Sequence, residues 1–179
     1  MSGNFLITGS PGSGKTTVVE NVLSSLREKG FEVGGVYCPE IRSGGVRRGF
    51  EIIDIMTGES KILAHVDQDQ GPRVSKYRVN VPNVGAISKS AISRALEEAD
   101  LLVIDEIAPM ETYSDEFRRQ VRRALDSEKP LIAVVHKRSK SGFIGEVKRR
   151  EDSKLFEVTE RTRNSLPGKV EELVLEGLR

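Results

Sequence analysis

Apolar residues along this chain fall into two alternating patterns: short solid runs, and longer stretches in which they recur every third or fourth position. Asn4 to Thr8 is a short apolar run ending in a glycine-rich turn. After it, Val19, Val22, Leu23 and Leu26 share one helical face until Gly30. Phe31 to Tyr37 follows a tight connection and predicts a strand parallel to the first, so the chain opens on a βαβ unit. Arg47 to Ile55 and Lys61 to His65 flank Thr57-Gly58-Glu59, where glycine can take the positive φ of a tight turn; this predicts an inserted β-hairpin. Ser88 is placed to cap a helix in which Ile92, Ala95, Leu96 and Ala99 share a face, and Leu101 to Ile104 follows as a strand buried on both faces. Ser114 caps a further helix through Phe117, Val121 and Leu125, Leu131 to Val135 is another buried strand, and Leu155 to Thr159 is the last. Pro167 opens a closing helix carrying Val170, Leu173, Val174 and Leu178. The alternation predicts an α/β protein with a three-layer fold, a mostly parallel sheet and an inserted β-hairpin.

Residues 1–179 show no repeat and no flexible linker, so a single domain is expected. The 28 basic and 27 acidic residues leave a formal charge of +1, which gives no global attraction to nucleic acid or anionic membrane. Cys38 is the single cysteine, which excludes an intrachain disulfide and reads as a small buried hydrophobe in a reducing compartment. The start of the chain lacks a basic segment followed by a long apolar run, and no stretch approaches the ~18 apolar residues of a membrane span. A cytoplasmic location is the expectation. The abundance of Lys, Arg and Glu, with no Trp, resembles the composition of heat-adapted proteins.

Gly9-Ser10-Pro11-Gly12-Ser13-Gly14-Lys15-Thr16 carries the full Walker A spacing, between an apolar strand and an amphipathic helix. The glycines let consecutive amides point inward, and the helix starting near Lys15 adds its positive dipole end, so a polyphosphate fits there. Lys15 can lie between the β- and γ-phosphates, and the Thr16 hydroxyl is a hard oxygen ligand for Mg2+. Leu101 to Glu106 has the Walker B form: an apolar strand delivers Asp105 at its carboxyl end as the second candidate Mg2+ ligand. Glu106 can orient and deprotonate a water attacking the γ-phosphate; the plainer alternatives are a solvated acid or an outer ligand of the metal. The expected partner is a nucleoside triphosphate.

With those residues placed, nearly the whole chain resembles the small archaeal and bacterial nucleoside-triphosphatase family that includes the vertebrate cancer-related nucleoside triphosphatase. Beyond the Walker motifs, the resemblance rests on Glu40-Ile41-Arg42, Gly44-Gly45, Arg47 to Ile52, Thr57-Gly58-Glu59 and Leu63-Ala64. Asp105-Glu106-Ile107-Ala108-Pro109-Met110-Glu111 is similar to the family's extended Walker B stretch, in which glycine and lysine usually stand where this chain has Ala108 and Pro109. Thr162-Arg163-Asn164 retains only the arginine of the family's Asn-Arg-Asp segment. The resemblance implies a P-loop NTPase fold with a RecA-like or kinase-like core. It also implies Mg2+-dependent conversion of ATP, GTP, CTP and UTP to diphosphates, with Ile107, Ala108 and Arg163 joining the nucleotide contacts.

Arginines that reach the γ-phosphate stabilise phosphoryl transfer, and Arg42 and Arg48 are the candidates because Gly44 and Gly45 between them permit close approach to a ligand. Arg138, Lys148, Arg149 and Arg150 surround a short helical stretch resembling a lid. His65 and His136 lack the ligand spacing of a zinc site, and Lys137-Arg138 reads as a solvated charge cluster more readily than as an RNA contact. Two rival readings share the same phosphate grip: a nucleotide or small-molecule kinase, and a slowly hydrolysing switch that uses residues 40–50.

Overall fold

The computed structural model describes residues 3–178. In chain order the elements are β1 (Asn4–Gly9), α1 (Lys15–Glu28), β2 (Val33–Tyr37), β3 (Glu40–Ser43), β4 (Val46–Asp54), β5 (Ser60–His65), β6 (Arg73–Val74) and β7 (Tyr77–Val79). There follow α2 (Val81–Glu98), β8 (Leu101–Ile107), α3 (Asp115–Asp126), β9 (Leu131–Val135), α4 (Gly142–Lys148), β10 (Ser153–Val158) and α5 (Leu166–Gly177). The strands form one sheet in the order β10-β1-β9-β8-β2-β4-β5-β7-β6, with β3 paired to β4.

From β10 to β2 every pairing is parallel. Side chains alternate between the two faces of each strand, so both faces must be covered. Phe5, Ile7, Leu101, Val103, Ile132 and Val134 pack with α1 and α5. Leu6, Leu102, Ile104 and Ala133 pack with α2 and α3 on the opposite face. That gives three layers. Each large aliphatic side chain so buried contributes about 1.5–3 kcal/mol relative to an exposed one. The carboxyl ends of β1, β8 and β9 then meet along one edge of the sheet, which is where the phosphate-binding loop emerges.

Beyond β2 the sheet turns antiparallel, through Val36↔Asp54 and Tyr37↔Ile53. The predicted hairpin is present as β4 and β5, with Gly58 at φ 78° in its turn. The insertion is larger than that hairpin: β3, β6 and β7 extend it. Asp54 closes the turn by accepting hydrogen bonds from the Met56 N–H at 2.9 Å and the Thr57 N–H at 3.3 Å, and it pairs with Arg94 of α2. Tyr77 of β7 is buried edge-on against Phe50, with ring centroids 5.3 Å apart. These contacts fasten the insertion to the core.

Two capping expectations resolve differently. Ser114 caps α3, its hydroxyl accepting from the Phe117 N–H at 3.0 Å. Ser88 does not start α2. The helix begins at Val81, capped by the Asn80 side chain, which accepts from the Asn83 N–H at 3.1 Å, with Pro82 in the first turn. Ser88 is buried in the helix interior and donates to the Val84 carbonyl at 2.6 Å, so its hydroxyl is satisfied by back-bonding instead of capping. Pro167 lies in the first turn of α5 as expected.

Candidate active site

The loop of residues 10–14 joins β1 to α1. Gly14 occupies the helix N-cap at φ 102° and Gly12 sits at φ 77°, both in the left-handed region that side chains other than glycine resist. The loop is tightened by a Ser13 N–H to Ser10 carbonyl bond of 3.0 Å. It is also pressed against β10: a Cβ on Gly9 would stand 2.5 Å from the Ser13 hydroxyl and 2.9 Å from the Val158 carbonyl. No residue larger than glycine fits at position 9 without moving backbone.

Thr16, in the first turn of α1, donates its hydroxyl to Asp105 Oδ2 at 3.2 Å, across 89 residues of sequence. This contact brings the two Walker motifs together. Asp105 is 8 % exposed. Its carboxyl is pushed up to about 7, first by burial and next by the neighbouring Glu106 charge, while the Thr16 hydroxyl and Lys15 act in the opposite direction. A divalent cation bound there would relieve that cost, and a hydroxyl beside a carboxylate is a donor set suited to Mg2+ completed by phosphate and water.

Next to Asp105 the β8–β9 ladder slips: Asp105 pairs with Val134 and Ile107 with Val135, leaving Glu106 in a bulge between them. Bulges re-aim side chains beside active sites. Glu106 Oε2 is buried with no hydrogen-bond partner, and so is the Ser13 hydroxyl in the loop. Buried polar atoms are rarely left unpaired, so these two point to a bound polar group that completes the site. Ile107 and Ala108 are buried beside them.

His136 follows β9, its N–H bonded to the Ile107 carbonyl at 3.1 Å and its Nδ1 2.8 Å from the Ser139 hydroxyl. Burial holds its pKa below the usual histidine range; Glu106 opposes that effect, whereas Lys15, Lys148 and Arg138 reinforce it. Lys137 donates to the Ser10 hydroxyl at 3.2 Å and pairs with Glu157 at 2.9 Å. The structure therefore brings to the phosphate loop a lysine that the sequence reading had grouped with solvated charges. The available signal was its place directly after the strand that separates β1 from β8.

The arginine candidates are each paired with an acid. Arg42 donates to Glu40 at 2.9 Å and to the Gly45 carbonyl at 3.1 Å, while Arg48 grips both oxygens of Asp67 at 3.0 and 3.2 Å. Both are on the β3–β4 hairpin, which continues past the carboxyl end of β2. The basic stretch around α4 is tied down: Lys148 donates to the carbonyls of His136, Lys137 and Ser139, Arg149 to the Lys140 carbonyl, and Arg150 pairs with Asp126 and Asp152. Arg163 is exposed in the turn after β10, its N–H bonded to the Thr159 carbonyl at 2.9 Å. Because Gly9 pairs with Val158, that turn adjoins the phosphate loop. Among the described residues no helix is long and apolar enough to cross a membrane.

Comparisons with known proteins agree with this geometry. The sequence profile of the NTPase family matches residues 4–171. The nucleoside-triphosphatase THEP1 of Thermofilum pendens is 47% identical over 165 residues, 92% of this chain and 91% of that protein. The THEP1 of Methanopyrus kandleri is 44% identical over 179 residues, 99% of this chain and 98% of that protein. In three dimensions, the crystal structure of THEP1 from the hyperthermophile Aquifex aeolicus superposes with TM-score 0.82 at 29% identity, covering 96% of this chain and 98% of that one. The solution structure of a human cancer-related nucleoside triphosphatase gives TM-score 0.81 at 28% identity, covering 98% of each chain. The phosphate loop, its partnered acid and these matches together place the chain in the NTPase family: it is a P-loop nucleoside triphosphatase.

Proposed function

We propose that the protein hydrolyses nucleoside 5'-triphosphates, with Mg2+ and with loose selectivity for the base, to the diphosphate and phosphate. The observation that carries this reading is the 3.2 Å contact between Thr16 and Asp105, with the unpartnered carboxylate oxygen of Glu106 in the adjacent position. The amides of residues 9–14 cradle the phosphates, and the Lys15 ammonium offsets charge that develops on the γ-phosphoryl oxygens. Thr16 and Asp105 would hold Mg2+, which when bound supplies charge neutralisation across the β- and γ-phosphates. Glu106 accepts a hydrogen bond from the attacking water and takes its proton. Arg42 or Arg48 would exchange its acidic partner for the γ-phosphate as the hairpin closes. Arg163, exposed beside the phosphate loop, would meet the base or ribose side of the nucleotide, and an open turn of that kind supports tolerance of different bases.

The test is phosphate release from ATP, GTP, CTP and UTP, with Mg2+ and with EDTA, beside Lys15→Ala. Steady release from several nucleotides that needs Mg2+ and vanishes in the variant is expected. Tight nucleotide binding with negligible release would replace this reading by that of a nucleotide-gated switch.

A further inference from the structure

Asp105 and Glu106 serve different spaces. Asp105 faces a cavity on the α1 side of the sheet with Thr16, whereas Glu106 lines a separate cavity of about 260 Å3 shared with Cys38, Glu111 and His136. The walls of this second cavity include Phe50, Leu63 and Val74 of the inserted strands. Of this lining the hydrolytic scheme uses Glu106 alone. A single attacking water occupies ~30 Å3, and the cavity is smaller than the roughly 300–1,000 Å3 pockets of drug-sized ligands. It suits a molecule of a few carbon atoms.

The lining indicates the chemistry of that molecule. Apolar walls disfavour a chain of ordered waters and favour a short hydrocarbon skeleton. Glu106, Glu111 and His136 supply polar groups to the lining. Glu106 offers a buried oxygen with no partner. Glu111 is 4 % exposed, and burial, reinforced by the Glu106 charge, holds its carboxyl well above the usual carboxylate range. Its oxygens can accept a hydrogen bond from a hydroxyl group. His136 has Nδ1 engaged by Ser139, which leaves Nε2 to bond a ligand. An anionic ligand would meet the charge of Glu106; hydroxyl groups match all three.

We propose that this cavity is an acceptor subsite for a short, uncharged, hydroxyl-bearing molecule, to which the protein transfers the γ-phosphoryl group in competition with water. The inference rests on the role given to Glu106 above. The acceptor O–H bond breaks and its proton passes to the Glu106 carboxylate. The acceptor oxygen forms a bond to γ-phosphorus as the bond from that phosphorus to the β-bridging oxygen breaks, and the nucleoside diphosphate leaves with the electron pair.

The experiment follows products by 31P NMR with the full chain, MgATP, and glycerol or 1,2-propanediol as probe. The ratio of phosphate ester to inorganic phosphate is compared with the alcohol-to-water mole ratio. An ester yield ~10-fold or more above the mole ratio is expected, the scale on which an apolar pocket discriminates by about one methylene group. Val74→Phe, which fills the cavity from β6, should lower the ester yield and leave phosphate release intact; Val74→Ala should change the preference between the two alcohols. Phosphate release with ester at or below the mole ratio would overturn the subsite and leave the hydrolysis reading standing. So would an ester yield indifferent to both substitutions. Absence of both products would overturn the hydrolysis reading and this one together.

Discussion

Replacing Asp105 by Asn should stabilise the protein while abolishing its turnover. In the absence of metal and nucleotide the carboxyl is raised from 3.8 to about 7, mainly because it is buried beneath the phosphate loop and secondly because Glu106 adjoins it. The native state therefore holds this proton more tightly than the unfolded chain does. Stability must fall as pH rises from the unfolded value toward the folded one and level off above about pH 7. At ~1.4 kcal/mol per pH unit, that shift corresponds to about 4 kcal/mol. Part of it belongs jointly to the Asp105–Glu106 pair, so about 2 kcal/mol is the gain expected from neutralising Asp105 alone. For a domain of this length each kcal/mol moves Tm by ~2–4 °C, which predicts ~4–8 °C. Asn retains an oxygen for the Thr16 hydroxyl, so packing is little disturbed. Differential scanning calorimetry in EDTA should show the gain in full at about pH 8 and small at about pH 4.5. Mg2+ with nucleotide should then raise the Tm of the wild type by more than that of Asp105→Asn. A stabilisation equal at both pH values, or none at either, would refute the claim that a buried charge is held at this position.

Three further expectations test how the site is supported. Asp54 is 0 % exposed and receives two backbone N–H groups as well as Arg94; Asp54→Ala should cost about 3–5 kcal/mol in urea denaturation, and Arg94→Ala clearly less, because Arg94 is 32 % exposed and the two backbone bonds survive. Equal losses would show that the turn contributes nothing beyond the ion pair. Ser114→Ala should lower stability by about 1 kcal/mol through loss of the α3 cap, whereas Ser88, mid-helix, should tolerate Ala with a smaller loss; the reverse order would contradict the assignment of the two hydroxyls. Lys137→Ala should weaken nucleotide binding by roughly fivefold, the value of about one hydrogen bond, with single-turnover rates of bound nucleotide preserved and Lys137→Arg partly restoring affinity. An unchanged dissociation constant would return Lys137 to the solvated surface.

The parts of the fold that could be read from sequence are those where one requirement dominates. β1, β8 and β9 are buried on both faces and so carry solid apolar runs, Phe5 to Ile7, Leu101 to Ile104 and Leu131 to Val135, and the Walker A spacing specifies its own backbone path. Local signals failed where tertiary pairing decides. β6 spans Arg73–Val74 and β7 Tyr77–Val79, and such short segments become strands only because β5 offers an edge to β7 and β7 offers one to β6. At α2 the cap expected at Ser88 lies inside the helix: Asn80 caps it ahead of Pro82, and Val84 and Ile87 continue the buried face toward that start. Within the site, Thr16 and Asp105 were legible because each belongs to a spaced motif. Lys137 was legible only as a residue directly after an apolar strand; its contact with Ser10 depends on β9 lying between β1 and β8, which no local pattern encodes. For Arg42 and Arg48 the nearby glycines signal close approach to a ligand, and the fold adds the acids, Glu40 and Asp67, that pair with them.

In the proposed mechanism Glu106 delivers the attacking water to a nucleotide gripped by the phosphate loop. The direct measurement is single-turnover phosphate release by Glu106→Gln, with MgATP affinity determined in parallel. Affinity close to that of the wild type and a rate lower by ~10²- to 10⁴-fold are expected. A Glu106→Gln protein that turns over at the wild-type rate, or that loses nucleotide binding in step with its rate, would contradict that mechanism.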